Sequence, residues 1–294
     1  MNNIVLISGA SSGFGAAAAG KIAANGDIVY AGMRDIAGRN AEAAEAARKD
    51  ADERGVDLRP VELDVSSDES VGAAVSGILA AHERIDVLVH NAGHMVTGPV
   101  EAFTPAQVAE IYDTNVISTQ RLNRAVLPGM RQRGTGYLMW VGSSSTKGGT
   151  PPYLGPYFAA KAAEDALAVS LAKELVRWGI ETTIVVPGSF TSGTNHFAHS
   201  GHPEDSDTAA AYELRYAGLM EQVAGKLAEL FPADVDASIV SDEMARLVAL
   251  RSGERPFRVH LDPADDGSGV VSAVADHIQN EFLGRLDLGD LVQR

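Results

Sequence analysis

Cysteine is absent from the chain. That excludes disulfides, thiolate nucleophiles and cysteine-ligated zinc, and it is compatible with a reducing compartment, the cytoplasm being the default expectation. Positive charge is scarce: 24 lysines and arginines stand against 39 acidic residues, a net charge of −15. Such a surface repels phosphate backbones and anionic lipid, so nucleic acid and membranes are poor partner candidates, although a few local cations can still hold one phosphate. No apolar run approaches the ~18 residues of a membrane span. Strand-like sequence begins at Asn3, so no signal peptide is expected. There is also no internal repeat and no Pro- or Ser-rich linker. What is present is a chain of 294 residues, 45% of them hydrophobic, enough for a well-buried core.

Its hydrophobic pattern alternates. Ile4-Val5-Leu6-Ile7 is a continuous apolar run, as in a parallel strand buried on both faces, and it leads through a glycine-rich turn into an alanine-rich helix stopped at Asn25-Gly26. Further strands are expected at 28–31, 61–63, 87–89, 137–141, 183–186 and 255–261. Helices are expected at 39–54, 67–82, in two stretches between Thr104 and Arg133, and at 156–178, 209–230 and 241–250, with a last one ending near Phe282. This predicts an α/β fold: a Rossmann-like, doubly wound parallel sheet of six to seven strands with helices on both faces. One domain is expected over residues 1–294, with a substrate lid at about 190–230, where the composition shifts to Ser, Thr, His, Gly and Asp, and a C-terminal extension at about 262–294. The strand order is not readable.

Three local patterns carry chemistry. Ser8-Gly9-Ala10-Ser11-Ser12-Gly13-Phe14-Gly15 follows the first strand, with glycines where a turn tightens and where backbone must approach a pyrophosphate at a helix N-terminus. Tyr157 and Lys161 lie four apart, on one face of a helix, where an ammonium stabilises a phenolate and brings the tyrosine closer to acid–base use. Gly142-Ser143-Ser144-Ser145 ends the fifth strand with three hydroxyls. The turn's spacing, Gly-x-x-x-Gly-x-Gly, resembles that of the short-chain dehydrogenase/reductases, Ser8 standing where the family has threonine. The resemblance continues in family order to about residue 192: Asp64-Val65, His90-Asn91-Ala92-Gly93 for Asn-Asn-Ala-Gly, Asn115, Tyr157-x-x-x-Lys161 and Pro187-Gly188. His90 and the bulky Phe158 depart from the family pattern; His90 reads as structural.

The resemblance implies an NAD(P)-binding domain with Gly9, Ser11, Ser12, Gly13, Phe14 and Gly15 around the pyrophosphate. Asp64 and Val65 would meet the adenine, Asn91, Ala92 and Gly93 would line the cofactor, and Pro187 and Gly188 would lie at the nicotinamide. Thr191, Ser192 or Thr194 would hold its carboxamide. Met33 stands at the position where an acid would bond a ribose hydroxyl, and Arg34 follows it, so NADP(H) is expected over NAD(H). Tyr157 would be the general acid/base and would contact the cofactor together with Lys161, while Asn115 would position a water near the lysine. For the catalytic serine, counting back from Tyr157 by the family interval selects Ser144, whereas strand phase selects Ser143; strand phase is the firmer guide because a loop absorbs one extra residue.

The function so implied is interconversion of a carbonyl and a secondary alcohol, by a chain that would assemble as a homodimer or homotetramer. A catalytically weak NADP(H)-binding redox sensor is the alternative. His94, Met95, Val96, Tyr153 and the 190–230 segment are expected to line a moderately apolar substrate pocket. His196, His199 and His202, three residues apart, read as pocket lining or loop and not as metal ligands.

Overall fold

The computed structural model describes residues 2–190, 197, 199–232 and 235–293. Its strands are β1 (Ile4–Ile7), β2 (Ile28–Met33), β3 (Leu58–Glu62), β4 (Val87–His90), β5 (Gly136–Val141), β6 (Ile180–Pro187) and β7 (Arg258–Leu261). They form one parallel sheet in the order β3-β2-β1-β4-β5-β6-β7. The chain winds outward from β1 to β3, then returns to lay β4 on the other side of β1. That reversal leaves a crevice beyond the C-terminal ends of β1 and β4, where ligands bind in open sheets of this kind.

Helices cover both faces. In β1, Val5 and Ile7 point to one core together with buried residues of α1 (Gly13–Ala24) and α9 (Ser238–Ala249), among them Ile22, Val240 and Leu247. Ile4 and Leu6 point to the other core, with Ile78 of α3 (Asp68–His82), Leu122 and Val126 of α5 (Ser118–Arg133), and Ala168 of α6 (Gly155–Leu175). Both alternating sets are buried, which is why the strand reads as an unbroken apolar run. The other helices are α2 (Ala41–Arg54), α4 (Pro105–Tyr112), α7 (Ser206–Arg215), α8 (Leu219–Glu229) and α10 (Ser268–Arg285).

One difference from the predicted elements has a local cause. The single helix expected over 209–230 is two, because Gly218, at φ +72°, turns the chain between α7 and α8. The stretch from Thr104 is opened by a capping box between Thr104 and Gln107 with Pro105 at the first helical position, then interrupted by a π turn over Asp113–Ile117. No helix among the described residues is long and apolar enough to cross a membrane.

Candidate active site

The glycine-rich turn is drawn tight by backbone contacts that admit no side chain. Gly9 has φ +66°, and a Cβ there would lie 2.7 Å from Ala92 Cα; a Cβ on Gly15 would lie 2.3 Å from Asn91 Nδ2. Asn91 Nδ2 donates to the Ser8 and Gly9 carbonyls, each at 2.9 Å. The Ser8 hydroxyl donates to Val89 O and accepts from the Asn91 and Ala92 amides. The hydroxyl kept at Ser8 therefore locks β1 to β4 at the switch point. Gly13, at φ +56°, has open space where a Cβ would stand, and Ser12 caps α1 without a side-chain bond. The first turn of α1 holds no acid, and Ser12, Gly13 and Phe14 line the crevice, which places the positive dipole end of the helix there.

The crevice is a continuous cleft of about 1170 Å³. It is lined by Gly9, Ser11, Ser12, Gly13, Phe14, Arg34, Asp64, Val65, Asn91, Ala92, Gly93, Ser143, Ser144, Tyr157, Lys161, Pro187 and Gly188, all singled out from the sequence. Gly15 and Asn115 lie behind the wall. Thr191, with Ser192, Thr194 and His196, is outside the described residues.

Tyr157 and Lys161 project from the first two turns of α6 and are 4% exposed each. The two strand-end serines separate cleanly. Ser143 accepts a hydrogen bond from the Ser145 amide at 3.2 Å and shares one with the Tyr157 phenol. The Ser144 hydroxyl bonds Asp266, helping to hold that carboxylate below its usual range although burial works the other way. Strand phase thus points Ser143, and not Ser144, at the tyrosine.

Lys161 Nζ donates to Val141 O at 3.0 Å and to Glu164 Oε2 at 2.7 Å. Burial opposes its charge, but the Glu164 carboxylate and the Tyr157 phenol outweigh burial and move its pKa up. Tyr157 departs from the sequence expectation. Burial raises its pKa, Lys161 pulls it down, Glu164 pushes it back up, Ser143 lowers it, and the net direction is up. Glu164 escaped the sequence reading because an acid three residues after a lysine is an ordinary surface pair; what makes it different is that it is 2% exposed.

Asn115 sits in the π turn, fully buried. Its Nδ2 donates to His94 O and Ile111 O, and its Oδ1 accepts from the His94 amide. The side chain is committed to backbone, and it sets Gly93 against Lys161: a Cβ on Gly93 would lie 3.0 Å from Asn115 Oδ1 and 3.6 Å from Lys161 Nζ. His90 is buried, bonded to Asn123 Oδ1 at 2.9 Å and tilted on Trp140, and burial lowers its pKa to about 4. It is neutral packing, away from the cleft.

At the far end of the cleft Arg34 is joined by Arg39 and Asn40, which the sequence reading did not name. Asn40 Nδ2 donates to Arg34 O, and the nearby acids are spent on the loop: Asp35 accepts from the Arg39 amide, and Glu62 from the Asp35 and Ile36 amides. Among the described residues neither arginine forms an ion pair. A nicotinamide dinucleotide fits this cleft on two structural grounds: the open cradle over Gly13 beneath bare helix amides, and exposed cations at one end with the buried phenol at the other.

Around Tyr157 the lining is apolar: Met95, Val96, Phe103, Leu154, Phe158, Phe197, Leu227 and Leu230. His94, His199, Gly201 and His202 complete that wall. Tyr153 does not line the cleft; its ring packs on Tyr212 of α7. His202 bonds Thr97, and among the described residues no group of His, Asp or Glu is arranged to hold a metal. Phe14 of the glycine-rich turn meets Phe190 edge-on, and Phe190 meets Phe231 just beyond α8.

A family model described as short chain dehydrogenase matches residues 3–203. The chain belongs to the short-chain dehydrogenase family. Members of this family are oxidoreductases that use a nicotinamide cofactor. Among curated short-chain dehydrogenases, retinol dehydrogenase 8 of Homo sapiens is 38% identical over 187 residues, covering 63% of this chain and 58% of that one. The 17-beta-hydroxysteroid dehydrogenase type 1 of Homo sapiens is 37% identical over 188 residues, 63% of this chain and 56% of that one. The matched region thus spans little more than half the length of these relatives. A crystal structure of a short-chain dehydrogenase from Streptomyces avermitilis superposes with a TM-score of 0.74 at 28% identity, covering 97% of this chain and 98% of that one.

Proposed function

We propose that this short-chain dehydrogenase is an NADP(H)-dependent oxidoreductase that interconverts a carbonyl and a secondary alcohol, with Tyr157 as general acid/base. The observation that carries the reading is the buried Tyr157 phenol, bonded to Ser143 and placed beside Lys161 at the floor of the cleft. The amides at Gly13 and Phe14 would hold the pyrophosphate, Asp64 and Val65 the adenine, Arg34 and Arg39 a 2′-phosphate, and Lys161 the nicotinamide ribose. When bound, the cofactor supplies or accepts the hydride. Tyr157 gives its proton to the carbonyl oxygen in reduction or takes the alcohol proton in oxidation. Ser143, whose oxygen already accepts from Ser145, donates to the substrate oxygen where charge develops.

The apolar wall around Tyr157 supports an apolar ketone or alcohol as substrate, in keeping with two relatives named for retinol and for a 17-beta-hydroxysteroid. The segment at about 190–230 would act as its lid on one domain over residues 1–294, with a C-terminal extension at about 262–294.

The experiment is a panel of apolar ketones and aldehydes followed by absorbance with NADPH and with NADH, using wild type and Tyr157→Phe. Wild type should prefer NADPH in kcat/KM. The variant should bind NADPH nearly as wild type does and lose about a hundredfold or more in turnover, the scale of lost acid–base catalysis. A clear NADH preference rejects the role of Arg34 and Arg39, and turnover within tenfold of wild type rejects that of Tyr157.

A further inference from the structure

Lys161 and Glu164 form a buried pair on α6, 2.7 Å apart, with side chains 5% and 2% exposed. The same helix otherwise buries mainly apolar side chains such as Ala160, Ala168 and Ala172. An ion pair this deep contributes little net stability compared with apolar packing, because both charges must be stripped of water. The carboxylate is therefore better explained by what it does to the lysine. We propose that Glu164 is a positioning residue that anchors Lys161 and offsets part of its charge, keeping Tyr157 in its phenol form and so setting the site for proton donation to a carbonyl. This rests on the acid/base role proposed for Tyr157.

The ammonium has three donors. One goes to Val141 O and one to Glu164, which leaves the third for the cleft that Lys161 lines. An ammonium paired with a carboxylate acts on a nearby phenol as a dipole, and its pull on the phenolate is weaker than that of a lone cation. The other charges packed around this part of α6 nearly cancel: Asp165 is shared by Lys147 and Arg258, and Arg258 also holds Asp276. Glu164 is thus the acid that acts directly on Lys161. In the reduction, a bound reduced nicotinamide dinucleotide would supply the hydride for the new C–H bond and be left oxidised. The Tyr157 O–H bond breaks as the substrate O–H forms, and the phenolate recovers a proton from solvent. A phenol kept protonated favours this direction.

The test is the near-isosteric Glu164→Gln, with kcat/KM measured against pH for carbonyl reduction and alcohol oxidation. Removing a negative charge near the phenol stabilises the phenolate. The alkaline fall of reduction and the alkaline rise of oxidation should therefore both move down, on the order of one pH unit. Glu164→Leu, which also removes the acceptor, should show the same shift and a further loss of about tenfold or more in both directions as Lys161 loses its anchor. A profile that stays in place or moves up in Glu164→Gln overturns the proposal. Both variants failing to fold overturns it too, by making the pair structural. Retained turnover in Tyr157→Phe would instead remove the acid/base assignment beneath it.

Discussion

Ser143 and Ser144 are adjacent and chemically identical, yet the structure sends them to different partners, so their alanine variants should fail in different ways. Ser143→Ala removes the donor proposed to meet the substrate oxygen. Such a donor is worth about 10²–10³ in turnover. Its stability cost should be small, because the residue is half-buried and the amide it accepts from, that of Ser145, belongs to a single 3₁₀ turn, Ser144–Thr146. Ser144 loses a hydrogen bond to the Asp266 carboxylate, a charge-assisted bond, but Asp266 is only partly buried and keeps the Ser268 amide at 2.9 Å. The loss is therefore about 1–2 kcal/mol, the lower part of the range for such bonds. With an unfolding entropy near 2.1 cal/mol/K per residue, that lowers Tm by about 2–3 °C for a chain of this size. The assay is kcat/KM for a reduced ketone together with calorimetric melting of both variants. Ser143→Ala should be nearly inactive and near wild type in Tm, and Ser144→Ala active within severalfold and less stable. The reverse pattern, a dead Ser144→Ala beside an active Ser143→Ala, would refute the assignment.

Two further outcomes follow from the packing at Gly15 and at His90. In Gly15→Ala the new methyl would meet Asn91 Nδ2 at 2.3 Å and Gly9 O at 2.7 Å, so the turn must open and give up its Asn91 bonds. We expect a loss of about 2–4 kcal/mol and at least tenfold weaker NADPH binding by fluorescence titration, whereas unchanged affinity and stability would show that the turn tolerates a side chain. His90 concerns pH. Its folded pKa, about 4, lies below the ordinary 6.5, so between these values the unfolded chain binds more protons and stability falls as pH falls. The stability given up across that window is roughly 3 kcal/mol. Urea midpoints from pH 4 to 7 should show this slope in wild type and a flatter one in His90→Asn.

What could be read before the structure was local in the chain. The glycine spacing, the four-residue step from Tyr157 to Lys161 and the period of each strand depend on neighbours, and each lands where expected. What could not be read depends on distant partners. Strand phase favours Ser143, but the partner that takes Ser144 away, Asp266, lies more than a hundred residues on, and Arg39 joins Arg34 only because the Asp35–Asn40 loop folds back. The phenol runs counter to expectation for the same reason: pattern shows the lysine, while burial and the carboxylate of Glu164 decide the sign. Strand order belongs to this class, since each crossover leaves it open. The single miss in a local element, the helix over 209–230, turned on Gly218.

The ring contacts from Phe14 through Phe190 to Phe231 have a consequence for how the enzyme's diet could change. Phe190 stands where the chain leaves the sheet after β6, and Phe231 where it comes back toward α9. The two ends of the substrate wall are thereby stapled to each other and to the turn that would hold the cofactor. A loop whose ends are pinned grows at little entropic cost, each doubling adding only about 0.6 kcal/mol. The described residues between the two phenylalanines, Phe197 and residues 199–230, are in that sense a cassette. On the proposed function it could be exchanged by grafting to accept a different ketone, while Tyr157 and Lys161 stay on α6 and Ser143 just past β5.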